Sequence, residues 1–173
     1  LDLTAIRARC VVKLSEAGDQ PLRSAQEAHL RFGPRWGVLR SIALGRDEAL
    51  AKLALQAKYR SDLDRGYLLH PALLDLATGF AMELIDGYDA GAALWVPVSY
   101  KRVRVHRPLP AVVWSWVRNA AENRMGADFA AFDVTVTDEA GDIVLEVEQF
   151  IIKRLADDAS FALKPPAPHE VEF

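Results

Sequence analysis

The spacing of hydrophobic residues along this chain changes from a helical period to patterns typical of β-strands. Residues 94–106 alternate between apolar and other side chains, the pattern of a half-buried β-strand, and residues 111–117, 129–137 and 143–153 are also predicted to be strands. Residues 71–85 instead carry apolar side chains at helical spacing around most of the circumference, which predicts a long central helix. Pro71 suits the first turn of this helix, because its missing N–H would have no helical partner there.

Turn-forming residues connect the predicted strands into hairpins. Asp138 to Asp142 forms the bend between the last two strands. Gly45-Arg46-Asp47 lies between residues 36–44 and 48–55 and predicts another hairpin, although the Ala- and Leu-rich second piece favours helix by propensity alone. A further strand is expected over residues 6–14, before a break at residues 18–21.

One long helix followed by an antiparallel meander predicts an α+β architecture in which a curved sheet wraps around the helix, the hot-dog fold. The predicted organisation is a linker and first strand over residues 1–30, a hot-dog domain over residues 31–157 and a Pro-rich linker over residues 158–173. Because the chain starts without Met and ends in this Pro-rich stretch, we expect it to be a segment of a longer protein.

Composition narrows the classes of function. The chain carries a net charge of -3 with scattered basic side chains, which argues against nucleic-acid binding. The single cysteine, Cys10, excludes an internal disulfide, and the four scattered histidines give no metal-ligand spacing. No apolar run approaches the roughly 20 residues needed to span a bilayer. We therefore expect a cytoplasmic protein with no metal site and no membrane or nucleic-acid partner.

Asp75 is the residue whose position most needs an explanation. It follows the run Leu68-Leu69-His70-Pro71-Ala72-Leu73-Leu74 and lies in the apolar helix, five residues past His70. A carboxylate in such surroundings is costly to bury unless it is paired, protonated or used in chemistry. The alternative is an aspartate that stabilises the helix dipole from the first turns and has no catalytic role. His70 is expected to cap or pack the start of the helix.

Several segments, in this order, resemble the second half of a polyketide synthase dehydratase domain, a family in which two hot-dog units in one chain share an active site. Phe32-Gly33-Pro34-Arg35-Trp36-Gly37-Val38-Leu39 resembles the family's Tyr-Gly-Pro-x-Phe-x-x-Leu segment, and His70 to Asp75 matches its His-Pro-x-Leu-Leu-Asp helix start. Leu94 to Tyr100 is similar to the strand that lines the acyl channel, and the last hairpin is similar to the family's final strands. The resemblance covers about residues 6–155.

The resemblance implies dehydration of a β-hydroxyacyl chain held on the phosphopantetheine of an acyl carrier protein, with no other cofactor. A histidine in the first half would remove the α-proton, and Asp75 would protonate the departing hydroxyl as the general acid. This residue type suits the chemistry, because a hydroxyl leaves poorly until an acid protonates it. The acyl chain would contact Phe32, Gly33, Gly79 and Pro97. The implied partners are the carrier protein, the upstream half, neighbouring synthase domains and a second copy in a homo-oligomer.

Three departures from the family pattern define the alternatives. The family's His-x-x-x-Gly-x-x-x-x-Pro motif is absent, so the catalytic base is expected on the missing first half. Gly79 replaces the Gln or His found four residues after the aspartate, which predicts open space beside Asp75. Phe32 replaces the usual Tyr. A non-catalytic scaffold or carrier-protein docking module is therefore one alternative. Another is a self-dimerising single hot-dog unit that acts on acyl thioesters, which would need a base within this chain.

Overall fold

The computed structural model describes residues 1–155, so the linker predicted over residues 158–173 lies outside the described part of the chain. One antiparallel sheet of seven strands, in the order β1-β2-β3-β5-β6-β7-β4, wraps around the helix α2. The strands are Lys13–Glu16 (β1), Leu39–Leu44 (β2), Glu48–Ala54 (β3), Trp95–Val105 (β4), Val112–Asn119 (β5), Phe129–Thr137 (β6) and Ile143–Arg154 (β7). The helices are Leu3–Arg9 (α1) and Pro71–Gly79 (α2), with 3-10 turns at Ala25–Ala28, Pro34–Trp36, Ala57–Arg65 and Phe80–Leu84.

Both hairpins predicted from turn residues are confirmed. β2 pairs with β3 across Gly45-Arg46-Asp47, so the Ala- and Leu-rich piece is a strand in spite of its helical propensity. β6 pairs with β7, and the Asp138 carboxylate accepts hydrogen bonds from the backbone N–H groups of Ala140 and Asp142 at 2.9 and 3.0 Å. The bend ends at Gly141, which has a φ of +87°. Glycine adopts this conformation without steric cost because it has no Cβ.

The strand predicted over residues 6–14 is wrong in its first part, because residues 3–9 form α1. Asp2 caps this helix by accepting a hydrogen bond from the Ala5 N–H at 2.9 Å. Ile6 and Cys10 are buried one helical turn apart, which is helical rather than alternating burial. The strand begins only at Lys13, where β1 pairs with β2.

The central helix is shorter than the predicted span of residues 71–85. The α-helix ends at Gly79 and continues as the tighter 3-10 turn Phe80–Leu84. Thr78 Oγ1 donates to the carbonyl groups of Leu74 and Asp75 at 3.1 and 3.2 Å, a local bond that competes with regular helix geometry. The apolar side chains of this region nevertheless lie in the main core against the sheet, as their spacing predicted.

β4 is an edge strand with unusually little burial. It pairs with β7 alone, and most of its residues are exposed along both faces. Val98 and Val103 are 52% and 45% exposed. Trp95, at the start of the strand, is fully buried and contributes to the core. Within residues 1–155, no helix has the length and apolar character required to cross a membrane.

Candidate active site

Asp75 lies on the side of α2 that is least covered by the sheet. His70 is the N-cap and Pro71 the first residue of this helix, as the sequence predicted. Ala72, Leu73 and Leu76 are buried in the core, whereas Asp75 and its neighbour Leu74 are only partly buried. The helix is therefore anchored by one face and presents the Asp75 carboxylate at the boundary between the core and solvent.

Trp36 holds the Asp75 carboxylate in place. The indole Nε1–H donates to Asp75 Oδ2 at 2.6 Å, and Oδ1 has no hydrogen-bond partner among residues 1–155. Trp36 closes the 3-10 turn that follows Gly33, with Pro34 as its first residue. This bond joins residues far apart in sequence, so the motifs predicted the turn and the helix but not the contact between them. One carboxylate oxygen is thus fixed, and the other is left available.

The predicted binding residues Phe32 and Gly33 line a cleft on this side of the molecule. The cleft has a volume of about 480 Å³, and Pro34, Trp36 and Gln56 also line it. The Phe32 and Trp36 rings stack, with centroids 6.2 Å apart and planes inclined by 11°. The Gly-Pro turn therefore brings Phe32, Gly33 and the hydrogen-bond donor of Asp75 to one surface.

Asp62, on the neighbouring 3-10 turn, ties the Gly-Pro turn to the start of α2. Asp62 is 5% exposed, and its carboxylate accepts from Arg35 Nε at 2.6 Å, with a second contact from Arg35 Nη2 at 3.4 Å. His70 Nε2 lies 3.7 Å from the same carboxylate. The Arg35 guanidinium, which donates to Asp62, holds the pKa of that carboxyl below its usual value. Asp62 thus connects the residue before Trp36 with the N-cap of the helix that carries Asp75.

Gly79 does not leave open space beside Asp75, and this prediction is wrong. A Cβ on residue 79 would meet the side-chain amide of Gln26, at 2.9 Å from Oε1 and 3.3 Å from Nε2. Gln26 lies on the 3-10 turn Ala25–Ala28 and is 5% exposed. Gly79 is itself fully buried and does not line the cleft. A glutamine from another segment therefore fills the space that a side chain at position 79 would take.

Pro97 and Tyr100 lie on the edge strand β4. The pairing of β4 with β7 shifts in register between Pro97 and Ser99, so Pro97 is at once an edge-strand residue and a bulge residue. Pro97 does not line the cleft. The Tyr100 ring stacks on Phe150, with centroids 5.2 Å apart. Burial raises the pKa of the Tyr100 phenol, and the Asp75 carboxylate raises it further, which places Tyr100 within electrostatic reach of Asp75.

These residues form one small polar cluster beside α2: a carboxylate, an indole N–H and a phenol. Asp75 supplies a free carboxylate oxygen, Trp36 fixes its orientation and Tyr100 lies on the neighbouring strand. Among residues 1–155, no group of three or more His, Cys, Asp and Glu side chains could hold a metal ion. The sequence motifs pointed to Asp75, Phe32 and Gly33, whereas Trp36, Gln26 and Tyr100 depend on contacts between distant segments.

Comparison with known proteins assigns this chain to a family. Residues 1–162 match the family described as polyketide synthase dehydratase N-terminal domain. Among curated proteins, the polyketide synthase PksM of Bacillus subtilis is 23% identical over 152 residues, which cover 86% of this chain and 4% of PksM. The chain therefore spans only a small part of the curated relatives that it matches.

Solved structures show the same fold. A dehydratase domain of a trans-AT polyketide synthase from Brevibacillus brevis matches with a TM-score of 0.72 at 22% identity, covering 90% of this chain and 53% of that one. The dehydratase domain of the CurK module of curacin synthase matches with a TM-score of 0.71 at 21% identity, covering 92% and 54%. Each of these structures is about twice as long as the matched region. Because the family model matches nearly the whole length of the chain, the chain belongs to the polyketide synthase dehydratase family.

Proposed function

We propose that this chain is the C-terminal half of a polyketide synthase dehydratase and that Asp75 is its general acid. The observation that carries the proposal is the hydrogen bond from Trp36 to Asp75 Oδ2, which leaves Oδ1 free at the edge of the core. A general acid must be held in a fixed direction and still reach the substrate with a proton. The family description names the N-terminal domain, so the family match does not by itself support the assignment to the C-terminal half.

Two observations support the C-terminal assignment. The His-Pro-x-Leu-Leu-Asp segment forms the start of α2 and places its aspartate beside the Gly-Pro turn. For the CurK dehydratase, a variant with an aspartate changed to asparagine and another with a histidine changed to phenylalanine are both described as inactive mutants. The numbering of those variants places the histidine farther upstream of the aspartate than all the residues that precede Asp75 here. An equivalent histidine would then belong to a preceding half.

The proposed substrate is a β-hydroxyacyl thioester carried on the phosphopantetheine of an acyl carrier protein. A histidine of the upstream half removes the α-proton, and the electron pair of that C–H bond forms the new C=C bond. The bond between the β-carbon and the hydroxyl oxygen breaks as the C=C bond forms between the α- and β-carbons. The oxygen takes the proton of Asp75 and leaves as water. The reaction needs an acid and a base on opposite sides of the acyl chain, and this chain supplies the acid. The acyl chain would run past Phe32 and Gly33, with Gly79 and Pro97 farther from the cleft.

A scaffolding or docking role is the second candidate, and the edge strand β4 favours it. This strand has one neighbour in the sheet, and Val98, Tyr100 and Val103 are 52%, 43% and 45% exposed. An unpaired edge with apolar side chains is a surface for another chain or another half. The same surface would serve a self-dimerising single unit, but His70 is 3% exposed and faces Asp62, so it does not provide the base such a unit requires.

The test is mass spectrometry of a β-hydroxyacyl carrier protein incubated with this chain, alone and joined to the upstream residues of its parent synthase. Loss of water only in the joined form, and none after Asp75→Asn, is the expected result. Loss of water from the chain alone would support a self-sufficient dimer. No loss from either form would contradict the dehydratase proposal and favour the scaffold.

A further inference from the structure

Arg118, on β5, carries a guanidinium group with an unpaired donor. Its Nη2 donates to Thr135 Oγ1 at 3.1 Å, whereas its Nη1 is buried and has no hydrogen-bond partner among residues 1–155. Asp133, Glu48 and Glu146 act on this guanidinium through space, without a hydrogen bond. Burial lowers the pKa of Arg118, so these carboxylates do not offset the loss of water around the charge. An acceptor of opposite charge would therefore stabilise this group.

Arg118 lines a cavity of about 260 Å³, named here the Arg118 cavity, on the face of the sheet opposite α2. Its charged side chains are three arginines and three carboxylates: Arg102, Arg104, Arg118, Asp133, Glu146 and Glu148. Successive side chains of a strand point to opposite faces, and Val117 and Leu145, the neighbours of Arg118 and Glu146, lie in the core with α2. The sheet therefore separates this cavity from Asp75, and a ligand bound here is not the acyl chain of the proposed reaction.

The register of the sheet brings a second arginine toward Arg118. Thr135 on β6 and Glu146 on β7 are directly paired, and such pairs have Cβ atoms about 5 Å apart. Arg118 reaches over β6 to Thr135, and Arg104 of the edge strand β4 reaches over β7 to within 3.5 Å of Glu146. The ends of the two arginine side chains thus lie on neighbouring strands, with the cavity between them.

Two carboxylates of the Arg118 cavity make their shortest contacts with other side chains. Glu146 lies 2.7 Å from His106 Nε2 and 3.5 Å from Arg104. Glu148 lies 2.7 Å from Lys101 Nζ, and a second arginine of β4 is 3.5 Å away. Lys101 adds a positive charge to those of the cavity lining, so basic side chains outnumber carboxylates at this place. The arginines are therefore left with N–H groups that can bind an anion.

We propose that the Arg118 cavity binds a phosphate group, with Arg118 and Arg104 as its donors. A tetrahedral phosphate presents oxygens on several sides, so it can accept from guanidinium groups on two strands at once. A planar carboxylate is satisfied by the fork of a single arginine. In the cavity, a phosphate supplies both the acceptor and the counter-charge that Arg118 lacks. The chain thus carries a binding site that is independent of Asp75 and of dehydration.

The experiment is calorimetric titration of the full chain with inorganic phosphate at neutral pH and low salt. We expect saturable binding that Arg118→Gln weakens at least about tenfold, the effect of one hydrogen bond to a charged group. Arg107→Gln is the matched control, because it removes the same charge from a residue that pairs with Asp138 and does not line the cavity. Its phosphate affinity should stay within about twofold of the parent. Methyl phosphate, titrated in parallel, distinguishes a phosphate ester from free phosphate as the preferred ligand.

Nuclear magnetic resonance locates the bound phosphate. The Arg118 guanidinium lies 3.8 Å from the centre of the Trp116 ring, so the Trp116 indole N–H signal should shift, whereas that of Trp36, which bonds to Asp75, should not. No saturable binding to the parent, or an equal loss in Arg107→Gln, would overturn the proposal. Acetate bound as tightly as phosphate would overturn it in favour of a carboxylate site. If Arg118→Gln does not fold, Arg104→Gln, whose side chain is 57% exposed, replaces it, and parental affinity in that variant would overturn the proposal.

Discussion

Asp62 and Asp75 are carboxylates on neighbouring segments, and their surroundings are opposite. Asp62 is 5% exposed, accepts two contacts from Arg35 and lies 3.9 Å from Arg65 Nε, so two guanidinium groups lie beside it. Asp75 is partly buried and accepts one bond from a neutral indole, which leaves Oδ1 free. The guanidinium beside Asp62 keeps the pKa of that carboxyl low and makes it a structural anchor, whereas the single neutral donor of Asp75 leaves one carboxylate oxygen available to contact a substrate.

The comparison predicts that Asp75→Asn has the largest effect on activity and a small effect on stability. The amide keeps an oxygen acceptor for the Trp36 indole but cannot deliver a proton, so dehydration by the joined enzyme should be abolished. The measurement is water loss from a β-hydroxyacyl carrier protein by mass spectrometry, with thermal unfolding in parallel. Parental turnover in this variant would remove Asp75 from the mechanism and erase the difference between the two carboxylates.

Trp36→Phe tests whether the single donor matters. The substitution keeps an aromatic ring to stack on Phe32 but removes the N–H that orients Asp75. We expect kcat to fall about tenfold, because the acid is no longer held in one direction. The chain offers a matched control: Trp116 Nε1 donates to Glu48 at 2.7 Å, so Trp116→Phe removes the same kind of bond away from the site. Equal losses in both variants would show a general stability effect rather than positioning.

Asp62→Asn should affect stability more than chemistry. The folded-state pKa of Asp62 is lowered from the ordinary value of 3.8, chiefly by its hydrogen bond from Arg35. Such a group stabilises the fold fully above the unfolded-state pKa, and this contribution is lost as the pH falls through the folded-state pKa. We therefore expect Asp62→Asn to lower the melting temperature at pH 7 and to weaken the acid dependence of unfolding below about pH 4.

The readout for Asp62→Asn is thermal unfolding between neutral pH and acid, together with kcat of the joined enzyme. The turn that carries Trp36 loses one anchor, so a decrease of a few-fold in kcat is expected. A melting curve with the parental pH dependence would contradict the structural role of Asp62. Complete loss of activity with an unchanged melting temperature would place Asp62, and not Asp75 alone, in the chemistry.

Local sequence signals predicted the elements of this site, and distant contacts completed it. Helix capping and turn formation depend on residues a few positions apart, so adjacent residues can predict them. This holds for the His-Pro helix start, the Gly-Pro turn and the bend from Asp138 to Asp142. Asp2 with Ile6 and Cys10 also carried a readable helix signal, which the expectation of a strand overlooked.

The contacts of Trp36 with Asp75 and of Gln26 with Gly79 could not be predicted in this way. Each joins segments whose approach depends on the packing of the whole sheet around α2. The departure at Gly79 was visible in the sequence, but its meaning was not. A missing side chain predicts a gap only if no other segment enters that space, and Gln26 enters it.

Phe32→Tyr is expected to have the smallest effect. It tests whether a second donor near Asp75 adds anything to the single indole N–H. The family's usual tyrosine would add a hydroxyl at a position that lines the cleft and stacks on Trp36. Because the indole of Trp36 already donates to Asp75 Oδ2, the new hydroxyl is not needed to hold that oxygen, and kcat should stay within about threefold of the parent.

Steady-state kinetics of the joined enzyme measure this effect. The informative double variant combines Trp36→Phe with Phe32→Tyr. Recovery of activity in the double variant alone would mean that a hydroxyl at position 32 can replace the indole. A large gain in the single variant would mean instead that one neutral donor does not suffice to position Asp75.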